Sequence, residues 1–176
     1  YIVYGAIVEV YRQDNEAGIA STRECAGFVR GITTTYEQTT VITAQAVGIN
    51  ALLGDRIVAY KSGIANRSQF SAQPAETIMK TLYNYNLSTS ATVANGRSLD
   101  GRLTGAAAAT SGGLGNTMSF SCAGQNLLSA LQEVQLSAGG DFALTYTAPA
   151  TWNFVWYTGQ LGTDKTATVI LSLETG

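Results

Sequence analysis

Apolar and polar residues alternate along the first third of the chain. In residues 6–12, Ile7, Glu9 and Tyr11 fall on one face while Val8 and Val10 fall on the other. Period two with β-branched and aromatic residues predicts a strand. Asp14, Asn15 and Gly18 supply turn chemistry, and a second strand follows over about 23–33, through Cys25, Phe28, Val29 and Ile32. The two read as a hairpin. A third strand is expected over 39–47, with Val41, Thr43, Gln45 and Val47 sharing a face. Residues 48–54 form a short helical or turn-like piece with Ile49, Leu52 and Leu53. Residues 56–60 read as a fourth strand and the polar stretch 61–73 as loop.

The period then changes. Pro74 suits a first helical position and Glu76 the first turn, where the helix dipole favours a carboxylate. Ala75, Ile78, Met79 and Leu82 recur at helical spacing, which predicts an amphipathic helix. Residues 88–115, with alanines at 106–109 and Gly112, Gly113 and Gly115, read as a long soft loop, functional or ordered by a partner. A strand follows at 117–122. A second amphipathic helix is expected over 125–136, with Leu127, Leu128, Leu131 and Val134 inward, ended by Gly139 and Gly140. Strands at about 141–147, 151–157 and 166–173 complete the reading. The order predicts an α+β, β-rich chain with antiparallel sheets.

Composition adds one constraint. Charged residues make up only 12% of the 176 residues, about half the usual share. Such a chain covers itself with uncharged polar groups or hides surface against partners. The net charge of −2 and scattered basic residues leave no footprint for sequence-specific nucleic-acid binding. No apolar run is long enough to insert in a membrane. Residue 1 already sits in a strand-like pattern and the chain stops soon after another, so both ends read as cut, with the fold incomplete at each.

Candidate chemistry is sparse. The chain has no histidine, so it lacks the commonest general base and transition-metal ligand. Two cysteines, Cys25 and Cys122, cannot build a zinc site and read as free buried thiols, with a disulfide left open. Asp100 and Asp141 are conceivable acid and base residues of a glycosidase, but read better as turn carboxylates. The glycines at 112, 113 and 115 lack the ending of a phosphate-binding loop and precede a strand. No catalytic residue, cofactor or metal ligand is expected, and the chain does not read as an enzyme. Trp152, Phe154 and Trp156 alternate on one strand face. They read as a sheet core facing the second helix or, if exposed, as a contact row for sugar or protein.

Four stretches together resemble a known family. They are Ile7-Val8-Glu9-Val10-Tyr11-Arg12 with Ala26-Gly27-Phe28-Val29-Arg30; Ala51-Leu52-Leu53-Gly54-Asp55-Arg56-Ile57-Val58-Ala59-Tyr60; Pro74-Ala75-Glu76-Thr77-Ile78-Met79-Lys80; and Gly139-Gly140-Asp141-Phe142 with Gly159-Gln160-Leu161-Gly162-Thr163-Asp164-Lys165-Thr166. In this order they resemble tail-tip proteins of long-tailed phages, the baseplate hub or tail-associated type. More distantly they resemble the hubs of contractile tails and secretion-system spikes. The resemblance implies two barrel-like tube domains, parts of them at 1–65 and 141–176, with a helix-bearing insertion at 66–140. It implies a homotrimeric ring in the virion, at the distal end of the tail, touching distal tail, tape-measure or tip proteins. It supplies no catalytic residues. A host-surface binding module acting through Trp152, Phe154 and Trp156 is the alternative.

Overall fold

The computed structural model describes residues 2–14, 19–36, 39–59, 61, 67–88, 90–91, 109–147 and 151–162. Three antiparallel strands open the chain: β1 (Ile7–Asp14), β2 (Ile19–Tyr36) and β3 (Thr40–Gly48), in spatial order β1-β2-β3. With 18 residues, β2 is about 60 Å long. It pairs with β1 from Ile19 to Phe28 and with β3 from Gly27 to Tyr36. All three strands therefore lie side by side only at Gly27 and Phe28. There the backbones approach so closely that a Cβ on Gly27 would stand 2.3 Å from the Val47 carbonyl oxygen. Phe28 and Val29 enter the core at this crossing. The two hairpins run away from it in opposite directions.

The single turn α1 (Ala51–Gly54) buries Leu52 and Leu53. The fourth strand expected at 56–60 does not form within 56–59, and Tyr60 lies outside the described residues. Ile57 makes one isolated bridge with Asn126. The Val58 amide donates to the Gln125 carbonyl at 2.7 Å, and the Leu127 amide to the Arg56 carbonyl at 2.7 Å. The partner is the turn entering a helix, so the ladder cannot lengthen. The polar stretch read as loop at 61–73 instead contains β4 (Ser68–Pro74), antiparallel to β5 (Thr117–Cys122). Phe70 and Ser68 point inward, opposite Phe120 and Cys122.

α2 (Ala75–Asn86) and α3 (Leu127–Ala138) pack together. Pro74 is the residue before α2 rather than its first residue. α2 buries Ala75, Ile78, Met79, Leu82 and Tyr83. In α3 the Asn126 side chain accepts from the Ser129 amide at 3.3 Å, and Gly139 ends the helix at φ 72°. Left-handed φ is the conformation glycine adopts without steric cost. The buried stripe of α3 is Leu127, Ala130, Leu131, Val134 and Ala138, with Leu128 half-buried.

A last hairpin joins β6 (Asp141–Thr147) and β7 (Thr151–Tyr157) without a break in register. One continuous cluster of buried side chains joins Phe28, Leu53, Val58, Phe70, Tyr83, Leu131, Leu144 and Trp152. The chain is β-rich with antiparallel sheets and helices, as expected. The described strands form one three-stranded and two two-stranded sheets. No barrel closes among the described residues, and the strand expected at 166–173 lies outside them.

Candidate assembly surfaces and the residues behind them

Strand alternation in β7 turns Trp152, Phe154 and Trp156 to one side, and all three are buried, at 1%, 4% and 7% exposure. The row faces α2, not the second helix as expected. Tyr83 of α2 stacks on Phe154 with ring centroids 5.2 Å apart, and Phe142 stacks on the same ring at 5.6 Å. The Trp156 ring lies over Gly140, where a Cβ would fall 2.0 Å from it. The Tyr83 phenol is pushed up to about 12, first by burial. Neither indole N–H finds an acceptor among the described residues. The row is core, and none of its rings is available to a ligand.

The described end of the soft stretch, 109–116, is a strap laid along α2. Asn84 donates to the Ala109 carbonyl and accepts from the Ala109 amide, both at 2.8 Å. Lys80 donates to the Thr110 carbonyl at 2.8 Å, and the Thr77 and Ser111 hydroxyls lie 2.8 Å apart. Glu76 is 3% exposed, and its Oε2 accepts from the Gly112 and Leu114 amides, each at 2.9 Å. Its Oε1 accepts from Lys80 Nζ at 2.6 Å. Burial alone would raise the Glu76 pKa. The Lys80 hydrogen bond and charge and the two amides outweigh it and hold the carboxyl below its ordinary value. The glycine-rich loop does cradle an anion, and that anion is the protein's own carboxylate. The strap is ordered from within the chain, one turn of α2 at a time.

Asp141 is likewise occupied. Its Oδ1 accepts from the Phe142 amide at 2.8 Å and Gln135 at 3.0 Å, and its Oδ2 from the Leu161 amide at 3.1 Å. Its role is to fix the turn after β7. Asp100 and Lys165 lie outside the described residues. Cys122 is buried, and burial pushes its thiol up to about 11. Cys25 is exposed, contrary to the expectation of two buried thiols, and both are free. Among the described residues no group of His, Cys, Asp or Glu is placed to hold a metal ion, and no helix is long and apolar enough to cross a membrane.

The surface has a marked asymmetry. The β1–β2 end carries cross-strand ion pairs, Arg12–Glu24 at 2.9 Å and Arg23–Glu9 at 3.3 Å. The described residues of the β2–β3 end carry none: 31–36 and 40–48 contain no charged side chain, and the one charge within 31–48, Glu37, lies outside the described residues. Every residue at 33–36 and 40–46 is exposed on one face or the other. Tyr36 is 81%, Ile42 57% and Val41 52% exposed. Val41 and Ile42 are adjacent, so apolar groups stand on both faces of this arm. The alternation was legible in the sequence, but its lack of any covering layer was not. Sequence reasoning also missed Arg23, Glu76, Lys80 and Asn84 as organising residues. Only the four-residue spacing of Glu76 and Lys80 could have signalled a pair.

No protein-family model, no curated protein and no solved structure matches this chain.

Proposed function

We propose that this chain is a structural subunit of a phage or phage-like tail tip, a baseplate hub component that assembles with copies of itself, most simply as a trimeric ring. In that role it closes the distal end of the tail tube, contacts distal tail, tape-measure or tip proteins, and opens for DNA passage. Its strands take part in two barrel-like tube domains that neighbouring copies complete. The role is mechanical and uses no cofactor.

The observation that carries this reading is the bare β2–β3 arm. A two-stranded ribbon exposed on both faces is marginal in water by itself. An uncharged edge lacking proline and lysine invites pairing with another chain, and monomeric proteins blunt such edges. Here β3 has neither charge nor proline from Thr40 to Gly48. The order of motifs that resembles tail-tip proteins supplies the kind of assembly. The alternative of a glycan- or protein-binding row loses its basis in the burial of Trp152, Phe154 and Trp156.

The arm can be tested directly. Val41→Lys with Ile42→Lys places charge on both faces at sites exposed in the single chain, where substitutions normally change stability by less than about 0.5 kcal/mol. Light scattering on the full-length protein should give a multimer for the parent and a folded monomer for the variant. A parent that stays monomeric at high concentration would refute self-assembly.

A further inference from the structure

The β2–β3 arm has two free edges, one on each side. β3 ends its sheet, so among the described residues its outer edge is unpaired from Thr40 to Gly48. On the other side, β1 covers β2 only as far as Phe28. Gly5 and Ala6 add one more step. The Gly5 amide donates to the Val29 carbonyl and the Val29 amide to the Ala6 carbonyl, each at 2.9 Å. Beyond Arg30, whose side chain is tied back to Asp55, no described residue pairs with that edge. Residues 31–36 and 40–48 contain no charge and no proline. Both edges therefore lack the devices that keep one strand from adding to another.

The register also sorts the arm into two unlike faces, because cross-strand partners share a face. Ile32 with Ala44, Thr34 with Ile42 and Tyr36 with Thr40 make one. Gly31 with Gln45, Thr33 with Thr43 and Thr35 with Val41 make the other. The first holds both isoleucines and the tyrosine, and the second is mostly hydroxyl and amide. Such sorting marks a sheet with one covered face and one wet face. In the single chain neither is covered: Ile42 is 57% and Tyr36 81% exposed. The occupant must therefore satisfy two edges and cover the first face. A lone added strand leaves one edge bare and both faces open. A second arm meets every demand. With β3 of one copy against the bare edge of β2 in the next, repetition around a threefold axis closes the sheet on itself. Rotation about an axis along the strands sets that β2 antiparallel to β3, the pairing already used within the arm. Closure removes the edges and turns one face inward. A twofold contact of β3 with β3 would instead close a dimer and leave β2 bare.

We propose that the arms of three copies join edge to edge, β3 to the next β2, as a closed barrel of three two-stranded ribbons with Ile32, Tyr36 and Ile42 inside. The proposal rests on the self-assembly argued above and names its joint. A barrel of roughly eight strands is just filled by side chains, so this narrower one holds no channel and plugs the axis.

Single cysteines on the wet face read the joint, in full-length protein carrying Cys25→Ser. Cys122 is buried, with its thiol pushed up to about 11, and stays silent. One variant carries Thr33→Cys on β2. Its partner carries Val41→Cys, Thr43→Cys or Gln45→Cys on β3, which scans the registers in the steps of two that keep the same face outward. The β2 variant is co-expressed with each β3 variant and oxidised with diamide. Separate chains exclude a bond within one arm, where Thr33 already faces Thr43. At least one co-expressed pair should give a covalent dimer on a non-reducing gel, and each variant alone should give none. A dimer from a β3 variant alone would show β3 against β3 and overturn the joint. A multimer by light scattering with no covalent dimer from any pair would overturn it too and leave self-assembly standing. A monomer would overturn both.

Discussion

Glu76→Gln isolates the clamp that holds the strap on α2. The substitution keeps the shape of the side chain and removes its charge. It weakens two amide hydrogen bonds of 2.9 Å and the 2.6 Å bond from Lys80. Hydrogen bonds to a charged group contribute about 1.5–3 kcal/mol each, and they are not additive here because one carboxylate accepts all three. Breaking a buried ion pair costs about 3–5 kcal/mol. Lys80 is 14% exposed and retains the Thr110 carbonyl, which lowers that figure. The net expectation is a loss of about 2–3 kcal/mol. Urea unfolding followed by circular dichroism should show the midpoint falling by about 1 M or more, for a slope of about 2 kcal/mol per M.

The same residue sets a pH signature. The folded carboxyl titrates below its ordinary 4.5, so its stabilisation is complete above that value. It is lost as pH falls from there through the folded pKa. Glu76→Gln should flatten the decline in stability below about pH 5. A loss under about 0.5 kcal/mol, as for an ordinary surface site, or an unchanged acid slope would refute the clamp.

Two smaller predictions follow from the packing. Gly140→Ala drives a methyl into the buried Trp156 ring and should cost roughly 2–3 kcal/mol, read as a lower thermal midpoint; an unchanged midpoint would mean that the ring lies elsewhere. A thiol reagent such as Ellman's should titrate one group, Cys25, in the folded protein and both groups in urea; rapid labelling of Cys122 in the folded state would contradict its burial.

What was legible in the sequence was local. The 3.6 period of 75–86, the cap at Gly139 and the alternation of 151–157 each reflect local preferences of the chain, and each element stands within about two residues of where the pattern placed it, α3 running over Leu127–Ala138 against the expected 125–136. Non-local partners account for the misses. The stretch Ser68-Gln69-Phe70-Ser71-Ala72-Gln73 has only one large apolar residue, and it is a strand because 117–122 pairs with it. Ile57-Val58-Ala59 has strand composition but meets a helix entry, so one bridge is all it can make. The strap rests on contacts such as Glu76 with the Leu114 amide, 38 residues apart, and β2 meets β6 through Arg23 and Tyr146, 123 residues apart. No spacing rule encodes a pairing at that separation. The aromatic row was read correctly as core, but its stacking partner Tyr83 lies on α2, which no pattern within 151–157 could name.

The central claim concerns position as well as assembly, and both are visible in one image. Cryo-electron microscopy of intact particles carrying a tagged full-length copy should place the tag at the distal end of the tail tube, in three copies around its axis, with the β2–β3 arm of each buried against a neighbour. Density for the chain along the tube wall, in the capsid, or as a single copy with its arm in solvent would contradict the account.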